Sequence, residues 1–102
     1  YIHDAIYDYI VRLIGATREN EYIELGVSPR GTLAVAAMAK ARALYEDRDY
    51  CVPADVKFVF PDVVCHRLVL SSKARMERLT DRQLAANILE TTAVPRLKKG
   101  KA

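Results

Sequence analysis

No stretch of the chain approaches the roughly 18 consecutive apolar residues of a membrane-spanning helix, and no signal peptide opens it. Nor is there an initiating Met; the chain begins Tyr1-Ile2-His3-Asp4, as expected of a piece cut from something larger. Cysteine is scarce. Cys51 and Cys65 lie fourteen positions apart with no CxxC, and with His3 and His66 they do not offer the four ligands at matched spacing that zinc needs. No metal site is expected, and free thiols in a reducing cytosol are the expectation, which makes the location cytoplasmic. The serines at 28, 71 and 72 have no nucleophile motif around them, and neither histidine sits near one, so no catalytic residue is expected in this segment.

What is present is one domain's worth of chain. Its 102 residues are 51% apolar and 28% charged, the proportions of a globular protein. The net charge of +3 is unevenly placed. Arg96, Lys98, Lys99 and Lys101 crowd the last seven residues without an acid, and the remaining 12 basic residues face 13 acids, leaving −1. The basicity is therefore a tail at 96–102, expected to be a flexible, solvated terminus, and not a face; nucleic acid is not an expected partner.

Hydrophobic spacing predicts helices. Ile2, Ile6, Tyr9, Ile10, Leu13 and Ile14 recur at intervals of three and four, ending near Gly15, with Thr17-Arg18-Glu19-Asn20-Glu21 as the exit. A second helix starts at Ser28, a favourable N-cap, with Pro29 in the first turn, and runs through six alanines between 34 and 43 to Leu44. So many alanines imply close helix neighbours. Pro53 opens a third helix with Asp55 in its first turn; Pro61 divides it into pieces at about 54–60 and 61–68, or bends it. Ser71 to Leu79 reads as a long polar connection. Thr80-Asp81-Arg82-Gln83 is a capping box ahead of a last helix over about 81–91. The fold class is all-α, a small four-helix bundle with a very short strand pairing, if any, near 50–52.

The most informative run is Gly26-Val27-Ser28-Pro29-Arg30-Gly31-Thr32. Its two glycines have phosphate-loop spacing, but Thr32 stands where the phosphate loop needs Lys. This is not a nucleotide-binding loop. Arg30 is out of place near a helix N-terminus, where a cation costs roughly 0.3–1 kcal/mol. Three readings are open: a solvated side chain, an ion pair with an acid such as Glu24, or a clamp for an anion supplied from outside.

At these residues a family resemblance emerges. Thr17-Arg18, Leu25-Gly26-Val27-Ser28-Pro29-Arg30 and Ala39-Lys40-Ala41-Arg42-Ala43-Leu44 resemble the helical lid of MoxR-type AAA+ ATPases. So do the run from Arg48-Asp49-Tyr50 through Pro53-Ala54-Asp55-Val56-Lys57 and the run Pro61 to Leu70 containing His66-Arg67-Leu68-Val69-Leu70. The resemblance covers residues 5–95 in order. It implies that residues 1–95 are a lid following an N-terminal α/β domain, absent here, that binds ATP and magnesium. The lid closes over ATP, and Arg30 is the sensor-2 arginine, positioned by Ser28 and Pro29. The resemblance further implies a ring, usually a hexamer, of neighbouring subunits, chaperone-like protein remodelling, and von Willebrand factor A-domain partner proteins. The fragment itself is then expected to hold no cofactor and to have no activity alone.

Two residues depart from the pattern. Val52 stands where Ser or Thr commonly caps the third helix, and Gly31 follows the arginine, where it is expected to loosen the turn by up to ~1 kcal/mol. Two other classes compete, a small helical DNA-binding module and a stand-alone protein-interaction domain. The −1 charge of the first 95 residues and the lack of a basic helix face speak against the former.

Overall fold

The computed structural model describes residues 2–95. Helix α1 (Asp4–Thr17) turns its periodic residues Ile6, Tyr9, Ile10, Leu13 and Ile14 into the core. His3 caps it, its Nδ1 accepting the Ala5 N–H at 3.0 Å. After strand β1 (Ile23–Leu25) comes α2 (Arg30–Tyr45), then α3 (Pro53–Val64) and a single 3-10 turn, Cys65–Arg67. Strand β2 (Val69–Leu70), helix α4 (Ser72–Met76) and helix α5 (Asp81–Thr91) complete the described chain. Four longer helices carry the bundle, all-α as the sequence predicts. Among the described residues no helix is long and apolar enough to cross a membrane.

The alanines of α2 divide between two faces. Ala36, Ala39 and Ala43 are buried, while Ala37 and Ala41 are exposed. Small side chains on the inner face let α3 approach, and α2 and α3 form the most extensive helix pair in the molecule. Val56, Val59, Phe60, Val63 and Val64 fill the space between α3 and its neighbours, and Leu84, Ala85 and Ile88 of α5 close the other side.

Several expectations need correction. The short strand pairing lies not near 50–52 but between β1 and β2, antiparallel, with Ile23 opposite Leu70 and Leu25 opposite Val69 and an irregularity between them. Residues 50–52 have no strand partner because side chains satisfy them: the Val52 N–H donates to the Asp55 carboxylate at 2.8 Å, and Arg48 donates to the Tyr50 carbonyl at 3.3 Å. That Asp55 bond is one half of a capping box; Val52 has no side-chain acceptor for the other half, and the Asp55 N–H goes to the Val52 carbonyl at 2.9 Å. Of the two expectations for Pro61, the undivided helix is the one found: Pro61 sits inside α3, and the break comes later, at the 3-10 turn. The stretch 71–79 is not all connection. Ser71 Oγ accepts the Ala74 N–H at 3.2 Å and starts α4, whose Ala74 is buried. The capping box of α5 is as read, with Thr80 Oγ1 accepting the Gln83 N–H at 3.1 Å and Gln83 Oε1 accepting the Thr80 N–H at 2.8 Å. The basic tail at 96–102 lies outside the described residues.

Candidate functional site

The start of α2 is built from the end of α1. Thr17, the last residue of α1, is fully buried. Its Oγ1 donates to the Ile14 carbonyl at 2.6 Å and accepts the Val27 N–H at 2.9 Å, so one hydroxyl bonds its own helix and the following loop. Gly26 is required at this crossing. A Cβ there would lie 2.6 Å from the Thr17 carbonyl carbon and 2.8 Å from Thr17 Oγ1, closer than such contacts allow.

Gly31 is required for a related reason. The place a Cβ would take on Gly31 is filled by Cγ1 of Val27, itself buried, with Ile14 Cδ1 3.6 Å away. The expected loosening of this turn is therefore corrected. The missing side chain lets Val27 lodge against α2, which holds the turn.

Ser28 and Pro29 act through their backbones. Pro29, at φ −56° and ψ −22°, is already helical in conformation, and the helix begins at Arg30. The Ser28 carbonyl accepts the Gly31 N–H at 2.8 Å, and the Pro29 carbonyl accepts the Thr32 N–H at 3.0 Å. These tight bonds occupy the donors a capping hydroxyl would take, and α2 has no side-chain cap hydrogen bond. The expected Ser28 hydroxyl cap is thus absent.

Arg30 is exposed at the first residue of α2, with no acid in that turn. Among the described residues its guanidinium has no hydrogen-bond or ion-pair partner, and the ion pair with Glu24 is not made. At the helical period, Arg30 shares the outer face of α2 with Leu33, Ala37 and Leu44; Leu33 is 63% and Leu44 67% exposed. A helix apolar on its outer face as well as its inner one is built to be covered.

This corner suits an anion. Its first N–H groups, at Gly31 and Thr32, are engaged, so the forked donors of the guanidinium would make the contact. The thiols elsewhere are poor nucleophiles, because burial pushes both Cys51 and Cys65 above the ordinary thiol range. Among the described residues no three His, Cys, Asp or Glu side chains gather as a metal site.

Sequence reasoning singled out Arg30 and not Thr17 or Val27, which pack at the base of its turn. A threonine at a helix end, followed by a Gly-Val pair and by a second glycine four residues after that valine, was the available signal.

Comparison with known proteins agrees with this fold. Residues 15–88 match the family model described as the AAA lid domain. The chain is 37% identical to the chaperone MoxR1 of Mycobacterium tuberculosis over 95% of its own length and 28% of that protein's. It is 38% identical to the protein MoxR of Methylorubrum extorquens over 67% of its length and 20% of that protein's. A Cytophaga hutchinsonii crystal structure, described as that of a candidate ATPase, superposes with a TM-score of 0.85 at 32% identity, over 93% of this chain and 32% of that one. The chain thus spans less than a third of the relatives it matches. With the bundle, the Gly-Val-Ser-Pro-Arg turn and the match over residues 15–88 in agreement, the chain belongs to the AAA lid domain family and is similar to the MoxR proteins.

Proposed function

We propose that residues 1–95 form the lid that closes over ATP held by an N-terminal α/β domain of the same protein, with 96–102 as a basic tail. Arg30 is the residue that senses the γ-phosphate. The observation that carries this reading is the exposed guanidinium at the first turn of α2, without a partner among the described residues and standing at the head of an exposed apolar face. In the assembled ATPase, the α/β domain and magnesium supply phosphate binding and charge neutralisation. The lid's share is to orient one fork of N–H donors from a turn fixed by Thr17, Gly26, Val27 and Gly31.

A contact with the γ-phosphate is present with ATP and lost with ADP. Only such a differential contact shifts the balance between open and closed lids, so Arg30 links closure to nucleotide state. The outer face of α2, with Leu33 and Leu44, packs on the α/β domain, and neighbouring subunits complete a ring, a hexamer in this reading. The cycle drives chaperone-like remodelling in the cytoplasm, with von Willebrand factor A-domain proteins as partners. The test is Arg30→Ala in the full-length ATPase. Steady-state hydrolysis should fall severely while the ring and the fold persist. A wild-type rate in that variant overturns the reading.

A further inference from the structure

We infer that Thr17 is a positioning residue for Arg30: its buried hydroxyl fixes the turn from which the guanidinium projects. The inference rests on the sensor reading of Arg30 and adds to it a residue thirteen positions away that meets no nucleotide itself.

The geometry is specific. Thr17 ends α1, whose Ile6, Tyr9, Ile10, Leu13 and Ile14 are all in the core, so it is a fixed point. Donating to the Ile14 carbonyl commits the hydroxyl proton and leaves its lone pairs for the Val27 N–H. That second bond ties the loop of residues 26–29 to α1. Gly26 is pressed against Thr17, and Val27 fills the notch at Gly31, the residue after Arg30. A continuous contact path therefore runs from Thr17 through Val27 to the first turn of α2. Without the hydroxyl, the Val27 N–H is left unpaired in the core, and the loop must shift to find an acceptor or water. A small tilt at Val27 grows along the backbone to Arg30 and again along its side chain. Where a rate depends on aligned donors, a misplacement of about 1 Å costs on the order of a hundredfold.

The experiment uses the full-length ATPase with ATP as substrate. Rates are read with enzyme in excess so that slow variants remain measurable, alongside steady-state kcat, KM and melting midpoints. Four variants are compared: Thr17→Ser, Thr17→Val, Arg30→Ala and the Thr17→Val/Arg30→Ala pair. Thr17→Val should lower kcat about tenfold, within the span of effects for residues that orient others, with KM for ATP within about twofold. Thr17→Ser, which keeps the hydroxyl, should run near wild type. In the Arg30→Ala background Thr17→Val should add no further loss, because the residue it aims is gone. An unchanged kcat in Thr17→Val, a serine variant as slow as valine, or an equal loss in both backgrounds overturns the assignment. So does a valine variant that does not fold, since Thr17 would then be a folding residue. A wild-type rate in Arg30→Ala instead overturns the sensor reading itself, whereas a slow Arg30→Ala with an indifferent Thr17→Val overturns only the role of Thr17.

Discussion

Arg48 and Asp55 meet fork to fork, with Arg48 donating to the two oxygens of Asp55 at 2.6 and 2.9 Å. The aspartate side chain is 1% exposed and also accepts the Val52 N–H at 2.8 Å. One carboxylate thereby closes the turn between α2 and α3 and ties the residue before α3 to its first turn. Burial alone would raise its pKa; the Arg48 hydrogen bonds and the Val52 N–H outweigh that and leave it below the ordinary carboxylate value.

Acid should therefore weaken the fold through Asp55. Because its folded pKa is lowered, its contribution is fully present above the unfolded value of about 4 and is lost as pH falls through the folded value. Asp55→Ala takes their acceptor from the partly exposed Arg48 and from the Val52 N–H and should cost about 1–3 kcal/mol at pH 7. Melting midpoints measured from pH 7 to pH 3 should fall for the wild type at the acid end, and the gap to Asp55→Ala should narrow there.

Gly31→Ala should destabilise the lid although it replaces glycine inside a helix. The usual gain of about 1 kcal/mol is overridden by the overlap with Val27, which costs about 1–3 kcal/mol. Combining it with Val27→Ala should remove most of the clash, so the pair should fall short of the sum of the single effects. Denaturant midpoints of the three variants test this.

Tyr9 is fully buried, and among the described residues its hydroxyl finds no hydrogen-bond partner. Burial pushes its pKa above the ordinary phenol value, with Arg12 acting weakly the other way. Tyr9→Phe removes an unsatisfied polar atom without opening a cavity and should stabilise by about 1 kcal/mol. A lower melting midpoint in that variant would reveal a partner for the hydroxyl.

Arg30→Ala should leave the stability of the 102-residue chain unchanged or raise it by a few tenths of a kcal/mol, since a cation is removed from a helix N-terminus. Arg30→Lys should restore little hydrolysis in the full-length protein, because a point charge replaces a planar fork. The chain by itself should hydrolyse no ATP in a magnesium-dependent assay.

Local signals in the sequence carried most of the helices. The stripe of α1, the proline that opens α3 and the Thr80–Gln83 box each depend on residues within one or two turns of one another. The β1–β2 pair escaped because it joins Ile23 to Leu70 across forty-odd residues of chain, and such short strands leave no alternation to read. Helix α4 was missed because five residues with one buried alanine make no stripe. At the candidate site Arg30 was legible through its conflict with the helix dipole. Gly31 was misread because its reason lies in the side chain of Val27, four residues earlier and outside the helix, a packing fact that propensity does not contain.

The outer face of α2 decides how strongly Arg30 will be felt. Leu33 lies one turn behind it, and a partner that covered that turn would also drive water from around the guanidinium. Coulomb's law makes the same charge several-fold more effective when the dielectric around it falls. The sensitivity of the arginine is thus set by uncharged neighbours. Trimming Leu33 would detune it while every charge stayed in place, much as a loosened seal dulls a gauge whose needle is intact.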